Sequence, residues 1–199
     1  VLEGHVGAIH AITLIADDMQ LVSTGKDCTI RIWDLRTHRQ HKAWIAHKDS
    51  VNSLAVSPDQ QYILSGSDDG VVRLWQRRQG SLLREFVGHT GAITVSVFSQ
   101  QGQLIASGSR DQTCYIWQVE NGRVQLRLSG HEGAITALVF HPNQPLLITA
   151  ATDRTFRFWQ ISDGAELHRV ETAEIITQLV ISQDGSFLVT AANTGMFHL

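Results

Sequence analysis

The chain has 199 residues, 43% hydrophobic and 18% charged, with 16 basic against 19 acidic side chains and a formal charge of −3. That length can bury a core, and the near balance of charge excludes a basic nucleic-acid binder and an acidic disordered tail. Two cysteines, Cys28 and Cys114, are too few for a disulfide framework and have no zinc-type spacing. They read as small thiols of a reducing compartment. No apolar run approaches the ~18 residues of a membrane helix, no leader-like segment opens the chain, and no glycosylation sequon occurs. The expectation is an intracellular protein, cytoplasmic or nuclear, without a membrane partner. Its first residue, Val1, suggests a piece of something longer.

In chain order, the first predicted strand covers Ile9 to Leu14 and ends in the turn Ala16-Asp17-Asp18. A second strand leads to Ser23, a tight turn follows around Asp27, and a third strand, Ile30-Arg-Ile-Trp, closes at Trp33. The same order then recurs. Inner strands start at Val51, Ile93 and Ile135; second strands at Tyr62 and Leu104 lead to Ser65 and Ser107; third strands end at Trp75, Trp117 and Trp159. These runs are rich in β-branched and aliphatic residues and are punctuated by Gly, Pro and Ser/Thr, with no sustained helical spacing. A fourth, more polar strand precedes each new unit, as in Leu82 to Val87 and Val124 to Leu128.

Trp33, Trp75, Trp117 and Trp159 are spaced by 42 residues, and three further positions recur with them. They are His5, His47, His89 and His131; Ser23, Ser65, Ser107 and Thr149; and Asp27, Asp69, Asp111 and Asp153. Four matched positions recurring without insertion or deletion define a structural repeat. A four-stranded antiparallel sheet with apolar residues on both faces must be covered on both sides, which radial stacking of sheets achieves.

The Gly-His, the Ser-Gly/Asp turn and the terminal Trp33-Asp34 resemble the WD-repeat β-propellers over essentially the whole chain. Trp75, Trp117 and Trp159 are followed by Gln instead of Asp. The resemblance implies an all-β fold of four-stranded antiparallel blades. Four would be complete, at about residues 6–46, 48–88, 90–130 and 132–171, and a degenerate fifth would occupy 172–199. It also implies that the His, Ser/Thr, Asp and Trp of each repeat form a hydrogen-bonded network, which suits their donor and acceptor inventory.

Other functional readings weigh less. Ser, His and Asp suggest a hydrolase triad, but a nucleophilic site is needed once and this set recurs four times, with no Gly-x-Ser-x-Gly elbow. His38, His41 and His47 lack a completing carboxylate or Cys for a metal site. Gly66-Ser-Asp-Asp-Gly70 carries an acidic pair that would repel phosphate. No catalytic residue, metal or cofactor is therefore expected. Arg31, Arg73 and Arg157 read as stems packed on a neighbouring blade, and Trp44 as the cover of an outer edge.

Past Trp159, aligning Ile175-Ile-Thr-Gln with Ala134-Ile-Thr-Ala requires an offset of 41. The conserved-type positions become Thr172, Thr190 and Thr194, so this unit has lost His and Asp. The expectation is an excerpt of a seven-bladed or longer propeller, completed by further blades of the same parent chain. In the family, function is scaffolding: loops dock protein or peptide partners. Carried over by position, the candidate partner-binding residues are Lys26, Asp68, Arg110 and Thr152 before each Asp, and His10, Asn52, Thr94 and Thr136 on the inner strands. The alternative is a propeller enzyme with a funnel site, for which His10 is the available imidazole.

Overall fold

The computed structural model describes residues 1–15 and 19–195, and the backbone of 197–198. The turn expected at Ala16-Asp17-Asp18 lies outside the described residues. By internal contacts the chain divides into two units, Val1–Ser96 and Val97–Leu199. Among the described residues there are only strands, turns and irregular segments, and no helix. The fold is all-β, and among the described residues strands follow chain order within every sheet, four sheets having four strands and one having three.

The first unit holds β1 (Ile9–Ile15), β2 (Gln20–Gly25), β3 (Thr29–Asp34) and β4 (Arg39–Ile45), then β5 (Val51–Val56), β6 (Tyr62–Ser67), β7 (Val72–Gln76) and β8 (Ser81–Phe86). Strand β9 (Ile93–Phe98) crosses into the second unit. There follow β10 (Leu104–Ser109), β11 (Cys114–Gln118) and β12 (Val124–Leu128); β13 (Ile135–Phe140), β14 (Leu146–Ala151), β15 (Thr155–Gln160) and β16 (Glu166–Glu171); and β17 (Ile176–Ile181), β18 (Leu188–Ala192) and β19 (Phe197–His198).

The sequence period reappears as register. Ser23 faces Arg31, Ser65 faces Arg73, Ser107 faces Tyr115 and Thr149 faces Arg157, each pair 42 residues after the last. The third-to-fourth strand ladder shifts register just before Trp33, Trp75, Trp117 and Trp159 alike. A bulge there adds local twist and turns the indole inward. In the fifth sheet Leu179 faces Thr190, as Leu138 faces Thr149, so the offset of 41 is the register of the ladder.

Aliphatic residues from facing sheets interdigitate within each unit. In the first, Ile15, Val22, Ile30, Ile32, Val51, Ile63 and Trp75 form one cluster, with Trp44, Leu54 and Val56 packed against it. Trp44 therefore lies on the second sheet, its ring 5.9 Å from that of Trp75. In the second unit, Ala137, Ile148 and Ala150 meet Ile176, Leu179 and Ala192. Truncating one of the large aliphatics to Ala would cost about 2–5 kcal/mol.

Candidate functional site

In the first repeat, the Trp33 indole N–H donates to Ser23 Oγ at 2.7 Å, His5 Nε2 lies 2.7 Å from the same oxygen, and His5 Nδ1 lies 2.9 Å from Asp27 Oδ2. The second repeat gives 2.9, 2.8 and 3.0 Å for Trp75, His47 and Asp69 around Ser65. The fourth gives 2.8, 2.7 and 2.9 Å for Trp159, His131 and Asp153 around Thr149. In the third, Trp117 donates to Ser107 at 2.8 Å, while His89 belongs to the first unit.

One proton arrangement satisfies this chain. The indole can only donate, so the hydroxyl accepts from it and donates to His Nε2; Nδ1 then carries the proton and gives it to the carboxylate. The imidazole is neutral in that arrangement. Burial, working against the attraction of Asp69, pushes His47 below its ordinary pKa, and burial does the same to His131 against Asp153. The carboxylates are ionised. Burial would raise Asp27, but hydrogen bonds from Thr29, the Val6 amide and His5 outweigh it and hold the group far below the usual range. Asp153 falls to about 2 by the same balance, with His131, the Glu132 amide and Thr155 as donors.

A hydroxyl on imidazole on carboxylate is also the geometry of a hydrolase triad. Here the hydroxyl is sealed. Ser65 and Thr149 are 0% exposed, and each oxygen already holds an indole N–H and an imidazole nitrogen. No carbonyl carbon could approach it.

The carboxylate is more heavily used than the sequence reading allowed. Two residues on, Thr29, Thr113 and Thr155 donate hydroxyl and amide to Asp27, Asp111 and Asp153. The recurring Asp-x-Thr was a visible signal; the second repeat has Val71 there and donates through its amide alone. The arginines are a correction. Arg31, Arg73 and Arg157 are not stems laid on a neighbour: they return to the Asp of their own repeat at 3.2, 3.5 and 3.7 Å. Arg73 and Arg157 then reach Glu85 and Glu166 across the strand, both at 2.8 Å, and Arg31 reaches Gln40. With the carboxylate four residues back and a cross-strand acceptor, a guanidinium fork has two anchors. In the third repeat Tyr115 takes this place and stacks on Trp117, ring centroids 5.0 Å apart.

The residue after each Asp is left-handed: Cys28 (φ 61°), Gly70 (φ 78°), Gln112 (φ 70°) and Arg154 (φ 62°). Gly70 thus serves a turn, and the Gly66–Gly70 segment needs no ligand to explain it. Of the three histidines weighed for metal, His38 and His41 are exposed and His47 is committed to Ser65 and Asp69. Among the described residues no cluster of three His, Cys, Asp or Glu could hold an ion.

Lys26, Arg110 and Thr152 stand exposed at the Asp turns, and Asp68 is half-buried, accepting from Asn52 Nδ2 at 2.8 Å. Asn52 also donates to the Ile93 carbonyl, and Thr136 donates to the Ile176 carbonyl, each bridging to the next inner strand. Thr94 is half-buried; His10 is exposed, with Nδ1 3.2 Å from Ser50 Oγ. In the fifth unit Thr172 donates to the carbonyls of Arg154 and Glu174, and Thr194 donates to the Glu174 carboxylate. Among the described residues, Thr190 holds neither of them.

The family described as "WD domain, G-beta repeat" matches residues 1–34, 38–76, 80–118 and 122–160. All four matches end one residue past the periodic Trp. The chain is also 39% identical over 51 residues to ASTRA-associated protein 1 of Aspergillus niger, and 37% identical over 51 residues to the protein of that name in Penicillium rubens. Each similarity covers 26% of this chain and 12% of the relative.

Proposed function

Because the chain belongs to the WD domain, G-beta repeat family, we propose that it is a non-catalytic scaffold within a larger intracellular protein, presenting its turns to a protein or peptide partner. The observation that carries this reading is where the reactive side chains go. The imidazole, hydroxyl and carboxylate of the repeats are sealed inside hydrogen-bonded networks, while the residues beside them, such as Lys26, Arg110 and Thr152, face outward. Rigid strands that hold variable loops are a common binding architecture. The docking residues are Lys26, Asp68, His10, Asn52 and Thr94 in the first unit and Arg110, Thr152 and Thr136 in the second. Their mixed charge suits a protein surface better than DNA. The relatives' name speaks of association with ASTRA; this chain would likewise act by associating with another protein, with further blades from its parent protein and in the cytoplasm.

Cross-linking of the parent protein in cells, read residue by residue, tests the proposal. Cross-links to a defined partner should start at Lys26, and Lys26→Glu with Arg110→Glu should abolish them at unchanged abundance. A turnover activity that disappears in His10→Ala would contradict it and restore the funnel-enzyme alternative.

A further inference from the structure

The fourth strands β4, β8, β12 and β16 each form one edge of their sheet, and β16 differs from the others. All six of its residues, Glu166 to Glu171, are exposed, with Leu167 at 47% and Val170 at 38%, and none is proline. An open strand edge is a template for pairing with another strand unless charge, proline or a bulge blunts it. The bulge here falls at Leu167, between the Trp159–Glu166 and Phe158–His168 pairs, which leaves His168 to Glu171 regular.

The backbone of that stretch has a fixed polarity. The Thr172 amide donates to the Arg154 carbonyl at 2.8 Å, and in the same ladder Glu171 faces Thr155 and Val170 faces Phe156. Antiparallel pairs alternate between bonded and non-bonded. Val170 and His168 therefore also turn their backbone groups to β15, and Arg169 and Glu171 turn theirs outward. Arg169 lies opposite Arg157, and two cations facing each other across a sheet repel. The second repeat has Glu85 at that place, opposite Arg73, and the two pair at 2.8 Å. In the fourth, Arg157 is held by Asp153 and Glu166, and Arg169 has Glu171 of its own strand at 3.3 Å, both side chains exposed.

We infer that β16 is a self-association edge, on which a second copy of this chain pairs antiparallel about a two-fold axis between the two Val170 residues. An added strand must bring outward backbone groups to outward backbone groups. That confines the axis to a residue paired with itself and excludes positions between two residues. With Val170 at the axis, Arg169 meets Glu171 of the second copy and Glu171 meets its Arg169. With Arg169 or Glu171 at the axis, like charges meet instead. The equivalent outward positions on the other edges are Ala43 and Ile45, Glu85 and Val87, and Arg127 and Ser129, and none sets a cation against an anion in this way. Two four-stranded sheets become one of eight through an isologous contact. A single strand pair buries less than the ~1,200 Å² of a lasting interface, so the dimer is weak and depends on concentration. The inference goes beyond the scaffold reading and uses none of its turn residues.

The experiment is sedimentation equilibrium of the whole chain from ~1 to ~200 µM, the range of weak interfaces. The unaltered chain should move from 22.1 kDa toward twice that mass as concentration rises. Arg169→Glu alone and Glu171→Arg alone each set like charges opposite one another, and each should weaken association about tenfold or more. Both positions are exposed, so the melting curves should stay where they are. Mixing the two single variants sets opposite charges at both places again and should restore the dimer, as should the two changes combined in one chain. Three results would overturn the inference: the mass of one chain at every concentration, equal association of the single variants and the unaltered chain, or mixed variants that stay apart. Every variant keeps Lys26 and Arg110, so the partner cross-links of the scaffold reading are read independently.

Discussion

The fourth and fifth repeats share one register and one packed interface, yet they solve the problem of buried polar groups in opposite ways. The fourth buries an indole, a hydroxyl and an imidazole and satisfies all three through ionised Asp153. The fifth has Thr172, Thr190 and Thr194 at the corresponding places and uses backbone carbonyls and Glu174 instead. A strand ladder therefore does not need the tetrad; Ile176 to Ala192 pairs without it. What the tetrad adds is a cross-link from the segment before the first strand to the Asp turn and the end of the third strand. Buried polar groups are costly when half-satisfied, so such a set is kept whole or lost together.

This contrast can be broken at several points. The largest effect should come from Asp153→Ala, which strips partners from His131, Thr155, Arg157 and the Glu132 amide. A loss of about 2–4 kcal/mol in urea unfolding is expected, against under about 0.5 kcal/mol for Thr194→Ala, an exposed position. Next, Trp117→Phe removes one buried donor from Ser107 and should cost about 1–3 kcal/mol, clearly more than Thr190→Ala.

Acid should act on the equipped repeats in two stages. His47 and His131 sit below their ordinary value of 6.5 when folded, so the unfolded chain takes up protons first and stability should fall as pH drops below about 6.5. Asp153, at about 2 against 3.8, stabilises the fold above pH 3.8 and loses that contribution as pH falls toward 2. Urea midpoints measured across this range should show both declines, and exchange of His131 for Gln should flatten the first. The smallest effect concerns the turn. Gln112→Gly relieves a left-handed non-glycine residue and should change stability by no more than about 1 kcal/mol, in the stabilising direction, whereas Gly70→Ala should destabilise.

Much of this was legible in the residues alone. A spacing of 42 places the Trp, Ser/Thr and Asp of every complete repeat in one register, and the offset of 41 matches the ladder of the fifth sheet. The arginines were harder to read. A guanidinium alternating with aliphatics fits both a stem on a neighbour and a clasp within the repeat. What decides is an acceptor on the fourth strand: Glu85 directly opposite Arg73, and Glu166 or Gln40 past the bulge, opposite the Trp two residues on. Trp44 does lie on the edge strand β4, as its sequence context suggests; the structure adds that its indole reaches the next sheet, beside Trp75 and Gly80.

The central claim is that the repeated polar residues act as an internal staple. Thr149→Val and Thr190→Val test it most directly, since both sites are buried, equivalent in register and changed by the same isosteric loss of a hydroxyl. Unfolding of the two variants in the whole chain should differ: about 2–4 kcal/mol lost for Thr149, where His131 and Trp159 are orphaned together, and under about 1 kcal/mol for Thr190. Equal losses at the two sites would contradict the account.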